Sequence, residues 1–173
     1  MKKTLIAIIL GSDSDLAVMS QAAKVLEEFA IDYEITVSSA HRSPERTIDL
    51  VEKYHKNGVK VIIAAAGLAA HLAGVVAAHF PLPVIGVPLK SGTLSGVDAL
   101  FSTVQMPPGI PVATVGIDNA KNAGLLAVQI LATSDKSLKE KLIAYKNSLS
   151  AGVIEKAGKL EKLGWQQYLA DKK

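Results

Sequence analysis

The chain has 173 residues, a formal net charge of +3, 49% hydrophobic residues, only 5% aromatics and no cysteine. That length suits one domain with a sizeable core, and the missing cysteine excludes a disulfide scaffold or a thiolate metal site. The basic excess is local: residues 1–135 carry 10 Lys and Arg against 12 Asp and Glu, residues 136–173 carry 9 against 4, so a solvated helix face in the tail explains it better than a polynucleotide footprint.

The opening, MKKTLIAIILGSDSD, has the lysines and apolar run of a signal peptide. The run is short, Gly-Ser-Asp interrupts it and no small-residue cleavage site follows. No apolar stretch reaches the roughly 18 residues of a membrane span. A cytoplasmic protein, with neither membrane nor nucleic acid as partner, is expected.

Five apolar strands are predicted, at Leu5–Leu10, Tyr33–Val37, Val59–Ala65, Val84–Val87 and Val112–Ile117. Between and after them, Asp15–Phe29, Pro44–Asn57, Ala69–Phe80, Val97–Met106 and Ala120–Ala132 carry apolar residues at three- and four-residue spacing, the period of a helix with one buried face. Near-continuous apolar strands alternating with helices indicate a parallel sheet covered on both faces. The expected class is α/β, a flavodoxin-like, doubly wound sheet of five strands in three layers. A single domain over 1–173 is expected, with a core of about 4–134 and a helical tail of 135–173. In that tail Leu138, Leu142, Tyr145 and Leu149 form an apolar seam, better matched to a neighbouring subunit than to its own domain. Gly152, Gly158 and Gly164 are expected to break the tail into pieces.

Ligands of an open parallel sheet bind outside the carboxyl ends of its strands, so the turns there hold the candidate residues. The first, LGSDSD, offers the hydroxyls of Ser12 and Ser14 and the carboxylates of Asp13 and Asp15 where a helix begins. Such a start favours phosphate, while a nearby carboxylate suits a ribose diol. Phosphate on Ser12 with ribose on Asp15 is one reading; Ser14 or Asp15 as a plain helix cap is the other. In the second, VSSAHRSPER, Ser43, Pro44 and Glu45 read as a cap, a first-turn proline and a dipole partner. Ser39, His41 and Arg42 have no such structural need: arginine clamps phosphate, and histidine exchanges a proton near neutrality.

The third turn, AAAGLAAHL, is made of small residues that let something flat approach the backbone. His71 either points into that space or packs as a helix histidine. His55 and His79 lie near helix ends, where a cation suits the dipole, and receive no role. The Gly-, Ser- and Pro-rich segment after the fourth strand reads as a wall or lid, with Lys90 as a solvated lysine rather than a phosphate contact. Walker, dinucleotide and zinc-protease motifs are all absent from the sequence, so no metal or cofactor is expected.

These four segments, GSDSD, SAHRSP, AAAGLAAHL and GVPLKSGTLSGVDALFSTVQMPPGIPVATVGI, occur in order from about Leu5 to Ser134. Together they resemble the PurE family, the N5-carboxyaminoimidazole ribonucleotide mutases of de novo purine biosynthesis. The resemblance implies a flavodoxin-like core assembled as a homo-octamer, with a small ribonucleotide as substrate. By motif it implies that Ser12, Asp15 and Arg42 bind the ribonucleotide, with Ser14 beside them and Ser39 at the phosphate end. His41 would be the catalytic acid and base. Gly67, Ala70, His71 and Leu72 would form the pocket for the aminoimidazole and carboxyl group. Arg42 and the AAHL stretch resemble the mutase type rather than the direct aminoimidazole ribonucleotide carboxylase, which usually has lysine in the first motif. Leu68 stands where a glycine is common and Ala73 where a proline is, and Leu68 narrows the space near the ring. A flavodoxin-type electron carrier shares the fold, but the one tryptophan, Trp165, lies in the tail. A receiver-like module lacks its acceptor aspartate after the third strand.

Overall fold

The computed structural model describes residues 4–171. Up to Leu131 the chain forms one compact unit, and from Ala132 onward a second. In the first unit five parallel strands, β1 (Ile6–Leu10), β2 (Tyr33–Val37), β3 (Val61–Gly67), β4 (Val84–Leu89) and β5 (Ala113–Thr114), pair in the order β2-β1-β3-β4-β5. The connecting helices are α1 (Leu16–Glu28), α2 (Pro44–Lys56), α3 (Leu72–His79) and α4 (Val97–Val104), and α5 (Ala120–Ala132) follows β5. This is the expected doubly wound α/β fold.

The winding follows from handedness. Right-handed crossovers place α1 on one face, because β1 to β2 steps in one direction, and α2, α3 and α4 on the other, because every later step reverses it. Side chains alternate between the faces along each strand. Ala7 and Ile9 of β1 and Ile62 and Ala64 of β3 accordingly share one core cluster with Val51 and Tyr54 of α2 and Leu72, Ala73 and Val76 of α3. Ile6, Ile8, Val61 and Ile63 point the other way and are equally buried. There α5 closes on α1: a Cβ on Gly124 would stand 3.0 Å from the Ala22 carbonyl oxygen and from Val25 Cβ.

Several boundaries differ from expectation for local reasons. The third helix starts at Leu72 instead of Ala69, because Leu68 takes a φ of +56° and breaks the helical path. Strand β3 runs two residues further, to Gly67, because β4 extends alongside it to pair Gly67 with Leu89. The last strand keeps only Ala113 and Thr114 in regular pairing. Past it the chain turns at Asp118, whose φ is +57°, and the Asp118 N–H donates to the Pro88 carbonyl at 3.0 Å.

The second unit is α6 (Lys136–Ala170), started by Asp135, whose carboxylate accepts from the Leu138 N–H at 3.0 Å. Of the three glycines expected to break it, only Gly164 does so, with φ 73° and ψ 160°. Gly152 and Gly158 stay helical, since a single glycine costs a helix only about 1 kcal/mol. Leu149, Val153 and Ile154 are exposed along it. Among the described residues no helix is long and apolar enough to cross a membrane.

Candidate active site

The strand order reverses between β1 and β3, and the turns after β1, β2 and β3 meet at that switch point. They enclose a cavity of about 520 Å³, within the range of small-ligand sites.

The first turn is held by its own side chains. Gly11 donates from its N–H to the Ala65 carbonyl at 2.9 Å, keeping the exit of β1 beside β3. Ser12 then leaves in extended geometry and caps a single 3-10 turn, Asp13–Asp15. Its hydroxyl accepts from the Ser14 N–H at 3.4 Å, and the Asp15 carboxylate accepts from the Ser12 N–H at 2.9 Å, a reciprocal capping box. Ser12 thus caps the 3-10 turn, while Asp15 occupies the N-cap position of α1, as one reading of the sequence had it, without a side-chain bond into that helix. Ser14 donates its hydroxyl to Ser12 Oγ at 2.9 Å. Burial raises the Asp15 pKa above its ordinary value, opposed by the Ser12 N–H and the Ser14 hydroxyl and reinforced by the Asp13 charge.

The second turn is a hydrogen-bonded loop that carries His41. The Ser43 N–H and Ser43 hydroxyl both donate to the Ser39 carbonyl, at 2.8 and 3.1 Å. The Ser39 N–H donates to Ser43 Oγ at 3.2 Å. The Ser43 side chain thus closes the loop and makes no cap bond to α2, contrary to its expected role. Below, a buried hydroxyl pair, Ser38 and Thr47, is 2.9 Å apart. Arg42 folds back over this loop. Its backbone N–H and its Nε reach Ser39 Oγ at 3.2 and 3.4 Å, and Nη2 reaches the Gly11 carbonyl at 3.3 Å.

The third turn carries His71, which is exposed and stands at the start of α3. Its ring centroid lies 5.3 Å from that of His41, tilted by 39°. Packing as a core histidine is thereby ruled out; His71 faces the cavity. Ser12, Ser14, Asp15, Ser39, His41, Arg42, Gly67, His71 and Leu72 all line the same space. Leu72, buried to 2% exposure, contributes an apolar surface. Ala70 differs from its expected place: it is buried beneath the turn, donates its N–H to the Leu68 carbonyl at 2.8 Å, and does not line the cavity. Lys90 also lies off the lining, exposed, with its N–H on Asp118 Oδ1 at 2.8 Å.

Two contributors were missed by sequence reasoning. The Gly11 carbonyl anchors Arg42, a backbone role that no side-chain motif displays. Ser91 lines the cavity from the loop after β4; its place directly beyond a strand end was the available signal. The assembled groups are two imidazoles, a guanidinium, four hydroxyls and a carboxylate around a partly apolar floor. They can hold a polar, phosphorylated ligand and move one proton on it. Among the described residues no cluster of three or more His, Asp or Glu is placed to hold a metal ion.

A family model described as AIR carboxylase matches residues 5–151. The chain belongs to the AIR carboxylase family. Within that family it is 56% identical over 170 residues to a Pyrococcus horikoshii protein named N5-carboxyaminoimidazole ribonucleotide mutase, covering 98% of this chain and 96% of the relative. It is 54% identical over 165 residues to the phosphoribosylaminoimidazole carboxylase of Schizosaccharomyces pombe, a match that spans 95% of this chain but 30% of the yeast protein. The crystal structure of Treponema denticola PurE superposes with a TM-score of 0.83 at 32% identity, covering 90% of this chain and 97% of that one. The matched span contains the turns after β1, β2, β3 and β4.

Proposed function

We propose that this chain is an N5-carboxyaminoimidazole ribonucleotide mutase, which converts that ribonucleotide to 4-carboxy-5-aminoimidazole ribonucleotide in de novo purine biosynthesis. The observation that carries the reading is the convergence of His41, Arg42, Ser12, Asp15 and the Gly67–Leu72 turn on one cavity, in a chain more than half identical to proteins of that name.

The chemistry follows from the groups present. The substrate carries its carboxyl group on N5 as a carbamate, which is labile without ATP. His41 donates a proton to N5 as the N5–carboxyl bond breaks, leaving aminoimidazole ribonucleotide and carbon dioxide in the cavity. C4 then attacks carbon dioxide, and His41, now neutral, takes the C4 proton. One proton leaves and returns, so the group ends as it began. Confinement decides the outcome, since carbon dioxide that escapes turns an isomerisation into a decarboxylation. Arg42 and Ser39 serve the phosphate, Ser12 and Ser14 the sugar-phosphate edge, and Asp15 the ribose diol. His71 and Leu72 border the reacting ring.

The same reading takes residues 1–173 as one domain of a cytoplasmic homo-octamer. Apolar side chains exposed on the single chain support assembly: Val97, Phe101 and Val104 along α4, and Val153 and Ile154 along α6. A direct carboxylase, using carbon dioxide on aminoimidazole ribonucleotide, is the second reading, favoured by the fungal relatives' name. Supplying each carboxyl donor separately, without ATP, distinguishes them. The mutase forms the 4-carboxy product efficiently from the N5-carboxylated ribonucleotide. Efficient formation only from aminoimidazole ribonucleotide with carbon dioxide would overturn the assignment.

A further inference from the structure

Ser91, two residues beyond β4, borders the cavity together with Gly67 and Leu68. Its hydroxyl oxygen accepts from the Leu68 N–H at 3.1 Å. Leu68 holds a φ of +56°, a left-handed conformation that a leucine keeps only where its surroundings impose it. The contact leaves no spare room. A Cβ on Gly67 would stand 2.3 Å from Ser91 Oγ and 3.3 Å from the Leu89 carbonyl oxygen, so only glycine permits this approach. The Leu68 side chain in turn rests over Gly92, where a Cβ would lie 3.0 Å from Leu68 Cδ2. Behind Ser91 the loop is itself tied down by the Lys90 N–H on Asp118 Oδ1 at 2.8 Å.

We propose that Ser91 is a positioning residue for the reaction: through the Leu68 N–H it fixes the 67–72 wall and so determines how well freed carbon dioxide is retained beside the imidazole ring. It touches no reacting atom in this account. The proposal rests on the mutase reading above, and it makes retention, more than ligand binding, depend on a residue outside the two turns that carry His41, Arg42 and Asp15.

The test is a partition measurement on purified wild type, Ser91→Ala, Leu68→Gly and the double variant. Each is given the N5-carboxylated ribonucleotide, and free aminoimidazole ribonucleotide is compared with 4-carboxy product. Loss of one hydrogen bond should raise the leaked fraction about three- to tenfold in Ser91→Ala, while calorimetric affinity for the 4-carboxy product stays within about twofold. Glycine takes positive φ unaided, so Ser91→Ala should cost less in the Leu68→Gly background than alone. General destabilisation lowers the active fraction, so the ratio is compared at equal active-enzyme concentration after subtracting decarboxylation measured without enzyme, and melting temperatures taken alongside register it. A wild type that isomerises beside a Ser91→Ala variant of unchanged partition overturns this proposal alone, as does an equal cost of Ser91→Ala in both backgrounds. A wild type that makes no 4-carboxy product overturns the mutase reading, and this proposal with it.

Discussion

Arg42 donates from Nη2 to the carbonyl oxygen of Gly11 at 3.3 Å, joining the turn after β2 to the turn after β1. With Ser39 Oγ on its Nε, the guanidinium is aimed before any ligand arrives, which cuts the ordering cost of binding. Its remaining N–H donors are the strongest anion-binding groups at the cavity.

Replacing Arg42 by Ala should therefore weaken ribonucleotide binding by about 10- to 100-fold, the effect of losing hydrogen bonds from a charged donor. Arg42→Lys should recover only part of it, because an ammonium lacks the planar fork. Calorimetric titration with the 4-carboxy ribonucleotide reads both. Unchanged affinity in the alanine variant would remove Arg42 from the phosphate site.

Asp15 predicts a pH dependence of stability. Burial raises its carboxyl above the usual 3.8, so the folded chain binds this proton more tightly than the unfolded one. Its stabilising contribution is therefore present at acid pH and is lost as pH rises from 3.8 through the higher folded value. Asp15→Asn removes the titration while keeping an oxygen for the Ser12 N–H. The stability of wild type relative to this variant, from urea midpoints, should fall as pH rises above 3.8. A relative stability that rises with pH above 3.8 would contradict the burial account.

Much of the fold could be read from periodicity because the strands are apolar on both sides: every residue of β1 and β4 is buried. Strand β2 and helix α5 fall at their predicted bounds. The errors lie where backbone conformation, which composition does not encode, overrode the pattern. Leu68 in a left-handed turn shortened α3, and Ser43 gave its hydroxyl to the Ser39 loop instead of to the helix. In the site, Ser39, His41 and Arg42 were legible as polar side chains with no evident structural need at a strand end, whereas Asp15 read equally well as a ribose ligand or a helix cap. Ala70 was not legible, since a motif does not say which of its small residues face outward. Ser91 was obscured because its work is a contact with a backbone N–H 23 positions away.

The tail glycines yield opposite signs. Gly152 and Gly158 are helical with no heavy atom within 4 Å of an added Cβ, so alanine there should stabilise the helix by about 0.5–1 kcal/mol each. Gly164, at φ 73°, should respond the other way, since alanine disfavours that conformation. Thermal unfolding of the three single variants measures the contrast, and a stabilising Gly164→Ala would refute the kink.

The central claim concerns one imidazole. His41 sits on the loop closed by Ser39 and Ser43, lines the cavity, and faces His71 at 5.3 Å between ring centroids. The most direct measurement is the ATP-independent rate at which His41→Asn converts the N5-carboxylated ribonucleotide to the 4-carboxy product, with product affinity determined on the same sample. Loss of an acid/base group predicts a fall of at least about 10²–10⁴-fold in rate with affinity largely retained. A variant that binds product and still turns over near the wild-type rate would show that the proton is carried by another group.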